Sequence, residues 1–457
     1  MNRPVSAWEP LLFFTASTWV CATALLSAEV DWSTLKCLTC FAVSFGGGAI
    51  SVIAALRTRG SIFAIVAMGC CMGLAIASSG GAHLHAAMNR CADGTVKVGE
   101  LRVIEDSKTG DFGTSCIAQA HLPDGSTGTV RVNLPNGMQV RCWQVLDVEC
   151  FVASPAQTSI NYYWSKGCMG SVSPQEISAR VPKGVLGAIY NLRSMCIDRC
   201  HLAQEELGEG REDEFALIEA ILYGYRDDLF ASGIYQDVRT VGLAHVVAVS
   251  GAHLVIVSGF FAAMLRSMRV RRHVRIPLQC VFVLGYAAFT GLPISALRAA
   301  VMSICSASAF FTGRRSSPVS ALSLCIIAML CMHPFLAMSL SLALSCCASL
   351  GIVLLAQKIS DWMDGLFSGR VPMLTQMLSV AIAAHVLTMG ISAATFSQLP
   401  IIAPLSSIIA TPLFTGLVCV GMLGSILAIA FPHHAALAFM PAICLSRLFC
   451  WQTQVLA

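Results

Sequence analysis

The chain has 457 residues, 56% of them hydrophobic and only 12% charged, with a formal net charge of +4 and a mean hydropathy of +0.71. That balance excludes an ordinary soluble globular domain and points to a polytopic membrane protein. The 21 cysteines include Cys70-Cys71 and Cys346-Cys347 inside apolar runs, where thiols pack as small hydrophobes, so the count alone does not indicate a disulfide scaffold.

A bilayer core takes about 20 mostly apolar residues per helix, and three such runs open the chain, at roughly 9–28, 36–56 and 61–82. Arg57 and Arg59 follow the second run, while Glu29 and Asp31 sit in the link before it. The excess of positive charge on cytoplasmic loops therefore puts the N-terminus and Arg57/Arg59 inside and sends the third helix outward. Cys37-Leu38-Thr39-Cys40 has no second pair at zinc-finger spacing, and His83-Leu84-His85 has no completing ligands, so no metal is expected at either motif.

From about 90 to 155 apolar residues alternate with polar ones, as in Val130, Val132 and Leu134 around Arg131 and Asn133. Pro123-Asp124-Gly125 and Pro135-Asn136-Gly137 punctuate the runs, which predicts a small antiparallel β domain. It lies outside the membrane, where disulfides persist, so at least one bridge is expected among Cys91, Cys116, Cys142, Cys150 and Cys168. Its charge does not suggest a nucleic-acid groove: residues 90–180 hold eight Lys/Arg against nine Asp/Glu. Trp143, Phe151, Tyr162, Tyr163 and Trp164 can supply stacking rings, or simply anchor at the membrane interface. If the domain holds a nucleic-acid strand, Trp143, Arg131 and Arg141 are its candidate contacts.

Residues 181–232 read as helical, with Val185, Ile189, Leu192 and Cys196 on one face, suited to the membrane interface. The acidic run from Glu205 to Glu214 reads as a solvated link. Next comes GLAHVVAVSGAHLVIVSGF, residues 242–260, an apolar segment holding His245, the Ser250-Gly251 break and His253. A lone intramembrane histidine is more often a hydrogen-bonded packing residue than a functional one. Here a helix interruption accompanies two of them, and irregular backbone at membrane depth survives only where it is buried in protein or lines a cavity.

Two basic stretches follow: Arg266, Arg269, Arg271, Arg272 and Arg275, then the loop Gly313-Arg314-Arg315-Ser316. With both cytoplasmic, the span at 240–265 runs inward and the block 276–312 crosses twice or dips in and returns. Apolar blocks near 318–334, 336–357, 376–397 and 399–455 bring the total after 275 to seven or eight spans, with Pro293, Pro400, Pro404, Pro412 and Pro441 interrupting them. The stretch KISDWMDGLFSGR between 357 and 372 reads as a short cytoplasmic interfacial helix. Within TGLPISALRAAVM, residues 290–302, Arg298 stands inside an apolar run. An arginine at the bilayer midplane costs roughly 2.5–3.5 kcal/mol on insertion scales, so it needs a partner or water, unless it snorkels to an interface.

GLAHVVAVSGAHLVIVSG resembles the hallmark segment of the ComEC family of DNA-internalisation proteins. TGLPISALRAAVM, the Arg314-Arg315 loop and HPFLAMSLSLALSCCASLGIVLLA at 333–356 resemble the family's following blocks in the same order. The resemblance is close over about 215–400, and the N-terminal layout agrees. It implies a channel that carries one DNA strand across the cytoplasmic membrane during natural transformation, with an OB-like outer domain. It also implies a translocation path that includes His245, Ser250, Gly251, His253 and Arg298. Tyr225 in LYGYRDDL stands where the family usually has an acidic residue. Larger members continue into a metallo-β-lactamase-like domain, which is not expected within the sequence up to Ala457, and that sequence holds no GxxxxGK[ST] phosphate loop.

The expected fold is therefore a polytopic α-helical membrane protein with a small extracytoplasmic all-β (OB-like) domain. Three N-terminal transmembrane helices occupy 1–85, the β domain 86–180, an interfacial helical linker 181–235 and a competence-type channel domain 236–457. No catalytic residue, cofactor or metal is expected. The expected partners are single-stranded DNA, the lipid bilayer, separate DNA-receptor, nuclease and ATPase proteins, and a second copy of the chain in a homo-oligomer. The competing class is an intramembrane hydrolase using Ser250 as nucleophile with His245 or His253 as base.

Overall fold

A computed structural model of the chain describes residues 9–27, 62–91, 96–110, 113–122, 125, 127–135, 137–155, 159–208, 210–247, 249–311, 317–366, 372–396 and 402–457. The expected span at 36–56, Arg57, Arg59, the Cys37/Cys40 pair, the Arg314-Arg315 loop and Pro400 lie outside the described residues. The chain divides into two compact units, Met1–Pro182 with Ser308–Ala343, and Lys183–Ala307 with Leu344–Ala457.

In the first unit, α1 (Glu9–Ser27) packs on α2 (Ile62–Cys91). Gly69 and Gly73 make the approach: a Cβ at Gly69 would stand 2.5 Å from the Phe14 carbonyl oxygen, and one at Gly73 would run into the Thr18 carbonyl. Small residues four apart are a common way for apolar helices to bring their backbones together. Trp19 Nε1 and Thr23 Oγ1 donate to the Ala337 carbonyl at 3.0 and 3.1 Å, tying α1 to the 3₁₀ turn Pro334–Met338.

After α2 comes a seven-stranded sheet of β1 (Lys97–Val103), β2 (Lys108–Gly110), β3 (Gly113–His121), β4 (Thr127–Asn133), β5 (Val145–Phe151), β6 (Cys168–Val172) and β7 (Ile177–Arg180). Its order is β6-β4-β3-β1-β5-β7, with β2 paired to β3. Val130 and Val132 are buried while Arg131 and Asn133 are half-exposed, as period-2 alternation requires. Gly125 and Gly137 take φ of 79° and 82°, the left-handed turn geometry that the two Pro-x-Gly stretches predict. One expectation needs correction: β4 and β6 run parallel. The chain crosses through α3 (Ile160–Lys166) between β5 and β6, and a crossover of that kind, unlike a hairpin, can bring a strand in parallel.

The second unit opens with α4 (Val185–Leu207), α5 (Glu212–Tyr223), α6 (Asp227–Ala231), α7 (Ile234–Thr240) and α8 (Ala244–Val247). The buried side of α4 is Arg193, Cys196, Ile197, Cys200 and Ala203, while Val185 and Leu192 are exposed. Of the face expected to lie against the membrane interface, Val185 and Leu192 are open and Cys196 is packed inside. Arg193 turns inward because its Nε donates to the Tyr223 carbonyl at 3.0 Å, serving the C-terminal end of α5. The acidic run is likewise not all link: Glu212, Asp213 and Glu214 form the first turn of α5, where carboxylates suit the positive end of the helix.

Then follow α9 (Gly251–Ser267), α10 (Arg272–Phe289), α11 (Ile294–Phe311), α12 (Pro318–Met332, in the first unit), α13 (Leu340–Leu366), α14 (Pro372–Phe396), α15 (Ala403–Ala430) and α16 (Ala435–Leu456). Arg266, Arg269, Arg271 and Arg272 are exposed at the turn between α9 and α10. Among the described residues five stretches are long and apolar enough to cross a membrane: Ile65–Cys91, Leu340–Leu366, Thr375–Thr395, Ala403–Ala430 and Pro432–Leu456. Among the described residues four of these follow residue 275, and Ile294–Ser308 and Pro318–Met332 are apolar but shorter, against the seven or eight spans expected. Residues 357–366 continue α13 rather than forming a separate interfacial helix. At 1.5 Å per residue a helix of 27 residues is roughly 40 Å long, so its polar end extends past a hydrocarbon core of about 30 Å. Pro412 and Pro441 lie inside continuous helices instead of ending them, as packed membrane helices allow.

Candidate functional site

The backbone breaks where Ser250 and Gly251 predict a break. α8 ends at Val247, Ser250 is extended at φ −118° and ψ 174°, and α9 starts at Gly251. Ser250 is the N-cap: its Oγ accepts from Ala252 N at 3.2 Å, and its own N–H donates to His253 Nδ1 at 2.9 Å. Together these bonds make a capping box in which histidine takes the place of the usual Glu or Gln. Ser295 Oγ donates to the Val249 carbonyl, which satisfies irregular backbone just before the cap.

Because His253 Nδ1 accepts that bond, the proton sits on Nε2, which has no hydrogen-bond partner among the described residues. The ring is fully buried and meets Phe414 edge-on, with centroids 4.4 Å apart. Ser250 Oγ also lies 3.1 Å from His253 Nδ1. A serine beside an imidazole is the geometry a hydrolase would need. Here, however, the Nδ1 lone pair already holds the Ser250 amide, so the contact belongs to the cap.

Arg298 comes from α11 and is 8% exposed. Its Nε donates to Ser345 Oγ at 2.8 Å and its Nη1 to Ser349 Oγ at 2.7 Å, both on α13, while Met302 Sδ lies 3.3 Å from Nη1. A Cβ added at Gly251 would stand 3.2 Å from Arg298 Nη2. Residues 47 positions apart in the chain thus meet, and the guanidinium faces the first residue of α9. The N-terminus of a helix presents unsatisfied N–H groups and partial positive charge, and a guanidinium offers a rigid fork of donors. Both favour phosphate.

His245 lies before the break, exposed, with Nδ1–H donating to the Gly242 carbonyl at 2.9 Å. His385 on α14 and Arg226 on the link before α6 are electrostatic neighbours of His245 and His253 respectively. The structure therefore joins Ser250, Gly251, His253 and Arg298. It adds Ser345, Ser349, Arg226 and His385, none of which stood out in the sequence. Ser345 and Ser349 carried a faint signal, two hydroxyls one helical turn apart in an apolar run. Tyr225 is buried, its N–H donating to the Glu219 carbonyl at 3.3 Å.

In the sheet, Arg131 lies 5.5 Å above the Tyr162 ring and donates to Ser115 Oγ at 3.2 Å. Arg141 and Trp143 belong to the turn before β5, where Trp143 has a φ of 75° and its N–H donates to the Val103 carbonyl. Cys91, Cys116, Cys142, Cys150 and Cys168 are all buried free thiols, so the crosslink expected from the sequence is not formed in this structure. Cys116 on β3 and Cys150 on β5 flank β1 on opposite sides and do not face each other. His85 pairs with Asn89 at 3.2 Å on the last turns of α2.

These features define a class: a multi-pass helical membrane protein with a small mixed β sheet and a buried arginine held against a helix break. The family model for competence proteins matches residues 221–457. The chain belongs to the competence protein family, of the ComEC type, a component of DNA uptake. No curated protein and no solved structure matches the chain.

Proposed function

We propose that the chain passes single-stranded DNA across the cytoplasmic membrane, with the Ser250-Gly251 break and Arg298 forming the point where backbone phosphates are received. The observation that carries this reading is the approach of Arg298 Nη2 to Gly251, where a Cβ would fit only at 3.2 Å. One strand carries a charge at every nucleotide, so a dry apolar bundle cannot admit it. A cation beside a helix N-terminus, lined by hydroxyls, can replace part of its hydration. His245 and His253 border this locus, the first as an exposed polar group and the second as the capping-box partner of Ser250 that holds the break open.

In this reading the β sheet is an OB-like domain outside the membrane, occupying 86–180, with Arg131, Arg141 and Trp143 as its DNA contacts. The N-terminus and the exposed Arg266–Arg272 turn are cytoplasmic, and the channel domain spans 236–457. Receptor, nuclease and ATPase functions fall to separate proteins, and a second copy of the chain joins it in a homo-oligomer. The hydrolase alternative rests on the 3.1 Å Ser250–His253 contact, which the capping bonds already explain. The direct test is a deletion strain of a transformable host, supplied with labelled duplex DNA. Loss of internalised strand, restored by the wild-type chain, is expected. Undiminished entry in the deletion strain overturns the proposal.

A further inference from the structure

Outside the site above, three side chains that point to metal chemistry converge in the second unit. His201 Nε2 on α4 lies 3.0 Å from Glu219 Oε1 on α5 and 3.8 Å from Asp228 Oδ2 on α6. All three ligand atoms lie within 4.8 Å of one another. Around a tetrahedral ion with bonds of about 2.0–2.1 Å, ligand atoms stand roughly 3.3 Å apart, and the two observed separations bracket that value.

Glu219 is the informative member. It is 1% exposed, and the His201 ring reaches its Oε1 from the partly open side of the cluster. The buried Cys200 thiol lies against the same carboxylate. A carboxylate this deep is costly without compensation. A protonated His201 would leave the trio of one cation and two carboxylates with a net charge of −1. A divalent ion with neutral His201 and both carboxylates sums to zero. The cluster is also reachable, because the side chains of His201 and Asp228 are 40% and 46% exposed, leaving an open side for water as a fourth ligand.

We infer that His201, Glu219 and Asp228 bind one divalent transition-metal ion of the zinc type, clamping α4, α5 and α6 together. The imidazole selects against magnesium and calcium, which take oxygen ligands. The ligands are 18 and 9 residues apart, on three helices, so no compact metal motif marks them in the sequence.

The test uses the full-length protein in detergent, purified without a histidine tag and stripped with a chelator, and titrated calorimetrically with Zn²⁺ or Mg²⁺. One saturable Zn²⁺ site per chain is expected, with Mg²⁺ failing to compete. His201→Gln and Asp228→Asn should each weaken binding at least tenfold, in line with the losses seen when metal sites are disturbed. Both positions are partly exposed, so the double variant should keep the melting temperature of the metal-free wild type. A wild-type protein with no saturable Zn²⁺ site overturns the inference, whether or not the variants fold. So does equal affinity in the double variant, which would assign binding to other histidines such as His83, His85, His433 or His434.

Discussion

Replacing Arg298 by leucine separates the two roles a buried arginine can have. In the folded protein its guanidinium makes two short bonds to neutral hydroxyls, at 2.8 and 2.7 Å. Bonds involving a charged group contribute about 1.5–3 kcal/mol each. Burying an arginine at membrane depth costs roughly 2.5–3.5 kcal/mol. Leucine forfeits both bonds, roughly 3–6 kcal/mol together, and removes the burial cost, so the variant loses up to about 3.5 kcal/mol of stability. Ser349 also keeps a partner, because its Oγ donates to the Ser345 carbonyl at 2.9 Å. Transport should respond very differently. A guanidinium and a phosphate about 4 Å apart attract by roughly 4 kcal/mol at an effective dielectric of 20, and each 1.4 kcal/mol is about a factor of ten. Arg298→Leu should therefore lower DNA entry by on the order of 10³ at equal membrane abundance, while the melting temperature falls only as far as the lost bonds require. Transformation frequency in a host that depends on this chain, normalised to immunoblotted membrane protein, measures it. Normal entry at normal abundance refutes the role given to Arg298.

Ser250→Ala removes the acceptor for Ala252 N and should cost about 1 kcal/mol of stability, seen as a lower melting temperature, with most DNA entry retained. Abolition of entry to the level of Arg298→Leu, in a folded protein, would favour the nucleophile reading instead. In the β sheet, burial pushes the Cys116 and Cys168 thiols up to about 12, so at neutral pH both are protonated and poorly nucleophilic. They should resist alkylation in the native protein and react on denaturation, followed by mass spectrometry. Rapid native labelling of either would show that the sheet does not enclose them.

Much of this protein is determined by its sequence alone, because the relevant physics is local. Long apolar runs must become helices in a bilayer, and Ile65–Cys91, Leu340–Leu366 and the later spans are visible for that reason. Period-2 alternation marks the strands around Val130 and Val132, and the Pro-x-Gly stretches mark turns that need positive φ at Gly125 and Gly137. Ser250-Gly251 announces a helix start because serine caps a helix through its own nearest amides. What tertiary structure alone decided is which distant groups share a site. Periodicity could not show that Arg193 faces inward, since its reason is the Tyr223 carbonyl 30 residues later. The parallel entry of β6 depends on a crossover, and the continuity of α15 through Pro412 depends on neighbouring helices. Arg298 declared a need for partners, but Ser345, Ser349 and the face of Gly251 reach it from other parts of the chain. The His201–Glu219–Asp228 cluster is the extreme case: three ordinary residues on three helices, whose chemistry exists only once the helices have packed.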